Sequence, residues 1–371
     1  MKVLFITETN PFPTLGGEKI RTANLIKVML ANGISVHLVE KVQSSGNEDF
    51  SHPNLKRYSY VKLFEEGLFS VVFLIKMRLN LLKLVKRIVA EYEFDAVFLD
   101  YYLIGNYINF FKKKSIKVIY STHNVESQLS KQRSASTVIQ RLKIYFLYQI
   151  QSYHEKKYFR QTDKLIVVSE KDAMYYKNFL DDIKIEKINN FIDLSNYKFT
   201  KEKLNYVLFP ANFNAYQNIE GLKWFLEKIW NSFLAAKTKL YVVGFNAKKV
   251  NGLFSNELLT SVEFIDGAKD MVKYFEEAKA VVVPILQGSG SRIKILEAMA
   301  CGTIVVSTTK GAEGIDHKGS VWIADDPKQF RSLLINALAS EDELKTENAY
   351  KIVQNQYSFE SNAKKLIELL N

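Results

Sequence analysis

The chain has 371 residues, of which 47% are apolar, and it carries a formal net charge of +11. This composition suits two ordinary domains with hydrophobic cores and excludes a disordered or fibrous protein. The single cysteine, Cys301, excludes an internal disulfide and a cysteine-based zinc site, which fits a reducing cytoplasm.

The positive charge is concentrated in the first half of the chain. Residues 1–190 hold 29 lysine and arginine residues against 19 aspartate and glutamate residues, whereas residues 191–371 hold 22 against 21. An excess of ten positive charges on one half predicts an acidic partner for that half. An anionic membrane surface, a phosphorylated acceptor and a nucleic acid all meet this description.

The apolar runs are too short for an export signal or a membrane span. Val3–Ile6 is followed at once by polar residues, and the best membrane candidate, Gly67–Ile75, is interrupted by Lys76 and Arg78. We therefore expect a cytoplasmic protein.

The first half alternates strand-like and helix-like segments. After the strand KVLFITE at residues 2–8, a proline-rich loop with Gly16 and Gly17 leads into an amphipathic helix, roughly Glu18–Asn32. Further strand-like runs follow at Ser35–Lys41, Ala96–Asp100, Lys117–His123 and Lys164–Ser169. This alternation predicts a parallel sheet covered by helices on both faces.

The same pattern starts again after a polar linker near Asn189–Lys203. The apolar runs of the second half lie at 206–211, 239–244, 262–265, 280–284, 303–307 and 321–324. We predict an α/β protein with two Rossmann-like domains, residues 1–190 and 191–355, each with a parallel sheet. The last helix, Phe359–Leu370, is amphipathic and could pack on either domain.

Two segments of the first half combine apolar residues with many lysines and arginines. Residues 68–92 and 139–159 both look like basic amphipathic helices, of the kind that lies on an anionic membrane surface. The alternative is that each apolar face belongs to the core and each lysine is solvated. The sequence leaves both interpretations open.

The stretch Pro284–Gly302, PILQGSGSRIKILEAMACG, has the pattern of an anion-binding loop. It follows an apolar strand-like run, passes through Gly288, Ser289, Gly290 and Ser291, and enters a helix-like segment. Glycines allow close approach of the backbone to a ligand, and the free N–H groups of a first helical turn point at it. A diphosphate fits such a site.

Three charged residues follow this loop. Arg292 and Lys294 bring positive charge to a helix end that disfavours cations, so that a bound anion would be stabilising. Glu297 lies in an otherwise apolar segment and requires a partner. That partner is either Lys294, three residues earlier, or the vicinal hydroxyls of a ribose.

Two candidate site positions lie in the first half. Gly16 and Gly17 follow the first strand, where open α/β sheets place ligand loops, although a plain turn explains them equally well. His123 ends a strand-like run and is expected at the carboxyl edge of the sheet, as a hydrogen-bond donor to substrate. The histidines share no metal-ligand spacing and no Asp-x-Asp pair occurs, so we expect no metal and no cofactor.

At these residues the chain resembles the retaining glycosyltransferases of family 4, glycosyl transferases group 1, which have the GT-B fold. The resemblance is carried by GSGSRIKILEAMACG from Gly288, by KVLFITETNPFPTLGGEKIRTANLIKVMLANG at the start, by THNVESQ from Thr122, by VVSEKD from Val167, and by FPANFNAYQNIEGLKWF from Phe209.

The resemblance implies two sheets facing across a cleft, with a nucleotide-sugar donor bound by the second domain and the acceptor by the first. A UDP-sugar is favoured over a GDP-sugar. Glu297 resembles the family glutamate that holds the donor ribose, Gly16 and Gly17 the loop near the diphosphate, and His123 the cleft histidine near the donor sugar. The last helix, about 356–371, is expected to pack back on the first domain.

The sequence departs from the family pattern at two places. Ser289 stands where the family often has a glutamate that helps to hold the donor sugar. The usual arginine and lysine are absent from Pro210–Asn218, and our hypothesis is that Arg292 and Lys294 replace them as a clamp for the leaving diphosphate.

These features predict a metal-independent hexosyltransferase for a saccharide or a lipid-diphosphate-linked acceptor in polysaccharide or glycoconjugate biosynthesis. It would be cytoplasmic and peripheral on the inner face of the membrane. The alternatives are a non-catalytic glycosyltransferase-like partner subunit, which the serine at 289 suggests, and another GT-B enzyme such as a nucleotide-sugar epimerase or a phosphorylase. Nucleic-acid binding is disfavoured because no recognised binding module accompanies the basic charge.

Overall fold

A computed structural model describes residues 1–12, 17–41, 50–60, 71–100, 107–131, 137–180, 184–267, 270–288, 292–340 and 342–370. The chain divides into two compact units. The first consists of Met1–Asn189 together with Ala363–Asn371, and the second of Asn190–Asn362.

The first unit is built around one seven-stranded sheet. Its strands are β1 Lys2–Thr7, β2 Ser35–Lys41, β3 Leu55–Tyr60, β4 Ala96–Asp100, β5 Lys117–Ser121, β6 Lys164–Val167 and β7 Lys184–Lys187. Its helices are α1 Gly17–Ala31, α2 Val71–Glu91, α3 Ile108–Lys112, α4 Glu126–Lys131, α5 Val138–Phe159 and α6 Glu170–Lys177. The strand order is β3-β2-β1-β4-β5-β6-β7, and all of these pairings are parallel.

The second unit repeats this architecture with six strands. They are β8 Leu204–Pro210, β9 Lys239–Gly244, β10 Val262–Asp266, β11 Ala278–Val283, β12 Ile304–Ser307 and β13 Trp322–Ile323. The helices are α7 Tyr216–Lys228, α8 Ser232–Lys237, α9 Ala247–Asn251, α10 Met271–Glu277, α11 Ile293–Ala300, α12 Pro327–Ala339, α13 Glu343–Ile352 and, shared with the first unit, α14 Phe359–Leu370. The order β10-β9-β8-β11-β12-β13 is again entirely parallel.

The predicted α/β fold with two parallel sheets is confirmed, and the strands that the sequence analysis missed are edge strands. β3 and β7 have the sequences LKRYSY and KIEK, in which charged and polar residues prevail. Edge strands commonly carry such residues, and they lack the continuous apolar run by which a central strand is recognised.

The central strands are buried because helices cover both faces of each sheet. Val3–Ile6 of β1 and Val281–Val283 of β11 are at most 1% exposed. Each unit has its own hydrophobic core.

The strand order reverses at corresponding positions in the two sheets, between β1 and β4 in the first unit and between β8 and β11 in the second. The carboxyl ends of parallel strands lie at one edge of a sheet, and ligands of open α/β sheets bind in the crevice where the order reverses. The loops after β1, β4, β8 and β11 are therefore the places to look for a site.

The two basic helices differ in what they bury. In the described part of α2, Leu81, Val85 and Ile88 lie in the core while Lys83 and Lys86 are exposed, so there the solvated-lysine interpretation holds. α5 exposes large apolar side chains as well as its lysines. Of the helices in the described ranges, none has the length and apolar character that crossing a bilayer requires.

Gly244, the last residue of β9, is predicted to be intolerant of any side chain. Its φ is +145°, and a Cβ atom would lie 1.9 Å from the carbonyl oxygen of Ala211. We expect Gly244→Ala to lower the free energy of unfolding by at least about 3 kcal/mol, because the backbone of a neighbouring strand end cannot yield as a side chain can. Urea unfolding of the full chain measures this.

Gly252→Ala is the matched control. Gly252 has an ordinary φ of −66°, and an added methyl group would meet only open space there. Its stability should change by less than about 1 kcal/mol. Equal stabilities of the two variants would contradict the close approach at Gly244.

Candidate functional site

The loop between β11 and α11 carries the candidate anion site of the second unit. The chain leaves β11 at Val283, and α11 begins at Ile293 with Arg292 as its N-cap residue. Gly288 has a φ of +89°, which favours glycine. The other predicted loop residues, Ser289, Gly290 and Ser291, lie outside the described residues.

The burial of α11 fixes which of its side chains can meet a ligand. Six of its eight residues, all of them apolar, are buried: Ile293, Ile295, Leu296, Ala298, Met299 and Ala300. The remaining two, Lys294 and Glu297, are half-buried and three residues apart, which places them on the same face. The apolar packing therefore presents one lysine and one glutamate side by side.

Arg292 is a buried cation at the start of this helix. Arg292 is 7% exposed, and its Nη2 donates a hydrogen bond to the carbonyl oxygen of Lys310 at 2.9 Å. Burial lowers the pKa of Arg292, and the charge of Glu313 opposes this effect. Among the described residues Nε has no hydrogen-bond partner. A buried guanidinium with an unsatisfied N–H is a strong donor to an anion.

Lys294 adds a second cation with weak compensation. Its Nζ lies 3.5 Å from Oδ1 of Asn218, which is at the limit of a hydrogen bond. Burial and the neighbouring charge of Arg292 lower the pKa of Lys294 to about 7, and Glu297 opposes the shift. An anion bound here would favour the charged form of the lysine.

Glu297 has a partner that the sequence analysis did not consider. The hydroxyl of Tyr197 donates to Oε1 of Glu297 at 3.1 Å. Burial raises the pKa of Glu297 to about 7, although the Tyr197 hydrogen bond and the charge of Lys294 both act against the rise. Lys294 thus acts on this carboxylate through its charge, and Tyr197 holds it directly.

The segment between the two predicted domains, which contains Tyr197, also anchors α11 from its other end. Lys203 donates hydrogen bonds to the carbonyl oxygens of Glu276 and Cys301 and to Oγ1 of Thr303, at 2.7–2.8 Å. Two of these acceptors lie at the C-terminal ends of α10 and α11, where a helix dipole favours a cation. The polar linker is therefore an ordered part of the site's support.

The first unit has a separate polar cluster at the carboxyl edge of its sheet. Nε2 of His123 lies 2.9 Å from Oδ1 of Asp100, and the hydroxyl of Thr22 donates to Oδ2 of Asp100 at 2.6 Å. Burial alone would raise the pKa of Asp100, but His123, Thr22 and the charge of Arg21 together hold it below its ordinary value. An ionised Asp100 accepts from both neighbours and fixes the orientation of the imidazole.

The remaining predicted positions of the first unit are only partly described. Gly16 lies outside the described residues, whereas Gly17 is the first residue of α1, the helix that also supplies Thr22. Within the described ranges, no group of three histidine, cysteine or acidic side chains is arranged to hold a metal ion.

The structure thus brings Gly288, Arg292, Lys294 and Glu297 together on one loop and helix, and places His123 in a cluster of the other unit. The sequence analysis assigned no role to Tyr197 or Asn218, and it did not predict the contact between Asp100 and His123. A carboxylate directly after four apolar strand residues was a usable signal for Asp100. Tyr197 is a hundred residues from Glu297, and no local pattern connects them.

This arrangement can bind a phosphorylated ligand with vicinal hydroxyls. One buried and one half-buried cation can hold phosphate oxygens, and a carboxylate one turn further along the helix can accept hydrogen bonds from two adjacent hydroxyls.

Two family models match the chain in its two halves. Glycosyltransferase Family 4 matches residues 15–196, and Glycosyl transferases group 1 matches residues 205–340. A curated relative from Klebsiella pneumoniae, an uncharacterized 44.6 kDa protein in the cps region, is 29% identical over 239 residues. The match covers 58% of this chain and 58% of that relative's length.

Solved structures of other proteins share the fold over the whole chain. Sucrose-phosphate synthase from Thermosynechococcus elongatus has a TM-score of 0.79 at 17% identity, covering 100% of this chain and 98% of that one. WaaG, a glycosyltransferase involved in lipopolysaccharide biosynthesis, has a TM-score of 0.71 at 16% identity, covering 100% and 99%. Anabaena Alr3699/HepE, in complex with UDP and glucose, has a TM-score of 0.72 at 14% identity, covering 100% and 99%. With matches to both of its halves and this fold throughout, the chain belongs to the family 4, group 1 glycosyltransferases of the GT-B fold.

Proposed function

We propose that the chain is a retaining hexosyltransferase that moves a sugar from a UDP-sugar to a saccharide or lipid-linked acceptor during polysaccharide assembly. The observation that carries the proposal is the buried guanidinium of Arg292 at the start of α11, with Nε unsatisfied among the described residues and Lys294 two residues further on.

Arg292 and Lys294 would act on the leaving group. When the bond between the sugar and the diphosphate breaks, negative charge develops on the diphosphate oxygens. Two cations already held in a poorly hydrated place stabilise that charge without reorganising, which is commonly the largest catalytic contribution. In this role the pair replaces the arginine and lysine that the family usually has after β8.

Glu297 would hold the ribose of the donor. In its ionised form the carboxylate can accept hydrogen bonds from both vicinal hydroxyls, and the Tyr197 hydroxyl fixes its position. Gly288 and the loop that follows it, including Ser289, Gly290 and Ser291, would approach the diphosphate through backbone N–H groups.

The first unit would supply His123 to the sugar and the loop with Gly16 and Gly17 to the diphosphate and acceptor. Nε2 of His123 meets the ionised Asp100, which would fix the orientation of the ring towards the sugar.

Asp100 is not a suitable nucleophile for a covalent intermediate. One of its oxygens meets His123, the other accepts from Thr22, and the residue is fully buried. Retention would instead use the departing diphosphate oxygen to deprotonate the acceptor hydroxyl on the same face of the sugar.

The relatives support this choice of donor and pathway. HepE was solved with UDP and glucose, WaaG is involved in lipopolysaccharide biosynthesis, and the Klebsiella relative is in a cps region. The excess positive charge of residues 1–190 suits an acceptor that carries a diphosphate at an anionic membrane surface. The enzyme would then work as a peripheral protein on the inner face of that membrane.

A thermal-shift screen of the full chain against UDP, GDP and their sugars tests the function. A ligand that binds the folded state alone raises the melting temperature. We expect UDP and at least one UDP-sugar to do so, and UDP to be released when a matching acceptor is present. No shift with any nucleotide would favour the non-catalytic partner. Free UDP or an altered sugar without acceptor glycosylation would favour an epimerase or a related enzyme.

Arg292→Ala is predicted to weaken UDP binding by about tenfold or more and to lower turnover of the donor by about 10²- to 10³-fold. Calorimetric titration with UDP and a donor-hydrolysis assay measure the two effects. Arg292→Lys should recover only part of the loss, since an ammonium keeps the charge but lacks the planar fork.

Arg331→Ala is the control for this substitution, because Arg331 also lies in the second unit and donates to backbone carbonyl oxygens, of Lys228 and Ile229. It should bind UDP like the wild type. A folded Arg292→Ala protein with wild-type affinity and turnover would remove Arg292 from the site.

Tyr197→Phe is predicted to shift the pH dependence of UDP binding to higher pH. In the wild type, the hydrogen bond from Tyr197 stabilises the ionised form of Glu297. Its loss raises the pKa of Glu297 further above about 7, so that less of the ionised carboxylate is available at neutral pH. UDP affinity should fall about three- to tenfold relative to the wild type at neutral pH, and this difference should shrink as the pH rises and more of the variant's carboxylate ionises. Pyrophosphate, which has no ribose, should bind as in the wild type.

Tyr206→Phe provides the comparison, because the Tyr206 hydroxyl also donates within this unit, to the carbonyl oxygen of Tyr274. It should leave the pH profile of UDP binding unchanged. An equal loss of pyrophosphate binding in Tyr197→Phe would show that the tyrosine acts on the fold rather than on Glu297.

A further inference from the structure

Helix α5 exposes a stripe of large apolar side chains. Ile139, Leu142, Tyr145, Phe146, Ile150 and Tyr153 are each between 53 and 66% exposed. Their spacing of three, four and seven residues places them on one side of a helix with 3.6 residues per turn. Contiguous exposed apolar surface of this kind on a soluble protein commonly marks an interaction site.

The opposite side of α5 is anchored, so its rotation is set. Glu155 is buried and accepts hydrogen bonds from the backbone N–H of Ser127 at 3.1 Å and from its hydroxyl at 2.6 Å. Phe159 packs against the rings of Tyr120 and Tyr176 in the core. The helix cannot turn its apolar stripe inward without removing these groups from their partners.

The helix is also formed before it meets any partner. Thr137 and Gln140 make a reciprocal capping box at its N-terminus, with distances of 3.2 and 3.4 Å. A preformed helix avoids the ordering cost of a segment that folds only on binding.

The exposed charge around the stripe is entirely positive. Residues 137–160 contain five basic side chains, all exposed, namely Arg141, Lys143, Lys156, Lys157 and Arg160. The one acidic side chain of this segment is the buried Glu155. A second copy of the chain seated on this face would bring like charges together, whereas an anionic surface complements them.

We propose that α5 is a membrane-docking helix that lies in the headgroup region of an anionic lipid bilayer. Its apolar stripe enters the boundary of the acyl chains, and the flanking lysines and arginines contact lipid phosphates. The docking stands on the geometry and charge of α5. Its purpose, to hold the transferase beside a lipid-linked acceptor, rests on the proposed function.

The test is co-sedimentation of the full chain with vesicles. Vesicles of phosphatidylcholine with phosphatidylglycerol should bind it, and binding should weaken in high salt and with phosphatidylcholine alone. The triple variant Ile139→Ser, Phe146→Ser, Ile150→Ser should lose about tenfold or more in vesicle affinity. The double variant Arg141→Glu, Lys143→Glu should lose binding to the anionic vesicles in particular.

The matched control replaces three exposed apolar residues of the second unit, Phe233→Ser, Leu253→Ser and Leu344→Ser, which are 46, 64 and 71% exposed. It should bind vesicles like the wild type. All variants should keep the thermal shift with UDP, so that loss of docking is separable from failure of the donor site.

Absence of wild-type binding to the anionic vesicles would overturn the proposal, as would equal binding by the α5 triple variant. A dimer in sedimentation velocity that dissociates in the triple variant, without vesicle binding, would assign the stripe to a second copy of the chain instead.

Discussion

The candidate donor site depends on the apolar burial of α11. Six of its eight side chains are packed into the second unit, and this leaves Lys294 and Glu297 no other face to occupy. The hydrophobic term is large for such a helix, since each buried aliphatic side chain contributes on the order of 2 kcal/mol. It can therefore hold two charged groups in a place where their pKa values are shifted towards 7 from opposite directions. Lys203 at the C-terminal end and Arg292 at the start complete the orientation of the helix.

The half of the chain that carries the net positive charge is not the half that holds the pair of desolvated cations. Nearly all of the net positive charge belongs to the first half of the sequence, yet the described polar cluster of that unit is compensated internally, with Asp100 between His123 and Thr22. The second half is close to neutral as a whole, but it holds the buried Arg292 and the half-buried Lys294 two residues apart. Net charge acts at long range, on the approach of charged partners and on non-specific binding to charged surfaces. Binding of a specific anion depends instead on a few desolvated groups. The net charge of each half therefore did not indicate where the candidate anion site lies.

The two basic amphipathic segments show the limit of periodicity as a signal. α2 and α5 have similar composition, and both have apolar residues at helical spacing among lysines and arginines. Leu81, Val85 and Ile88 of α2 lie in the core, whereas α5 exposes a stripe of large apolar side chains because Glu155 and Phe159 hold its other face inward. Periodicity predicts that a helix has two faces. It does not say which of them the rest of the protein covers.

The sequence by itself determined the fold class and the strands at the centre of each sheet, and it predicted the candidate anion loop and the charged residues that follow it. These are local properties, because a buried parallel strand is a run of apolar residues and a glycine loop before a helix is read within about twenty positions. The edge strands β3 and β7 were not predicted because edge strands lack such an apolar run. The tertiary structure alone decided that Tyr197 holds Glu297, that Asp100 orients His123, and that α5 turns its apolar side outward. Each of these is a contact between residues far apart in sequence or a choice between two faces of one helix, and both depend on how separate elements pack.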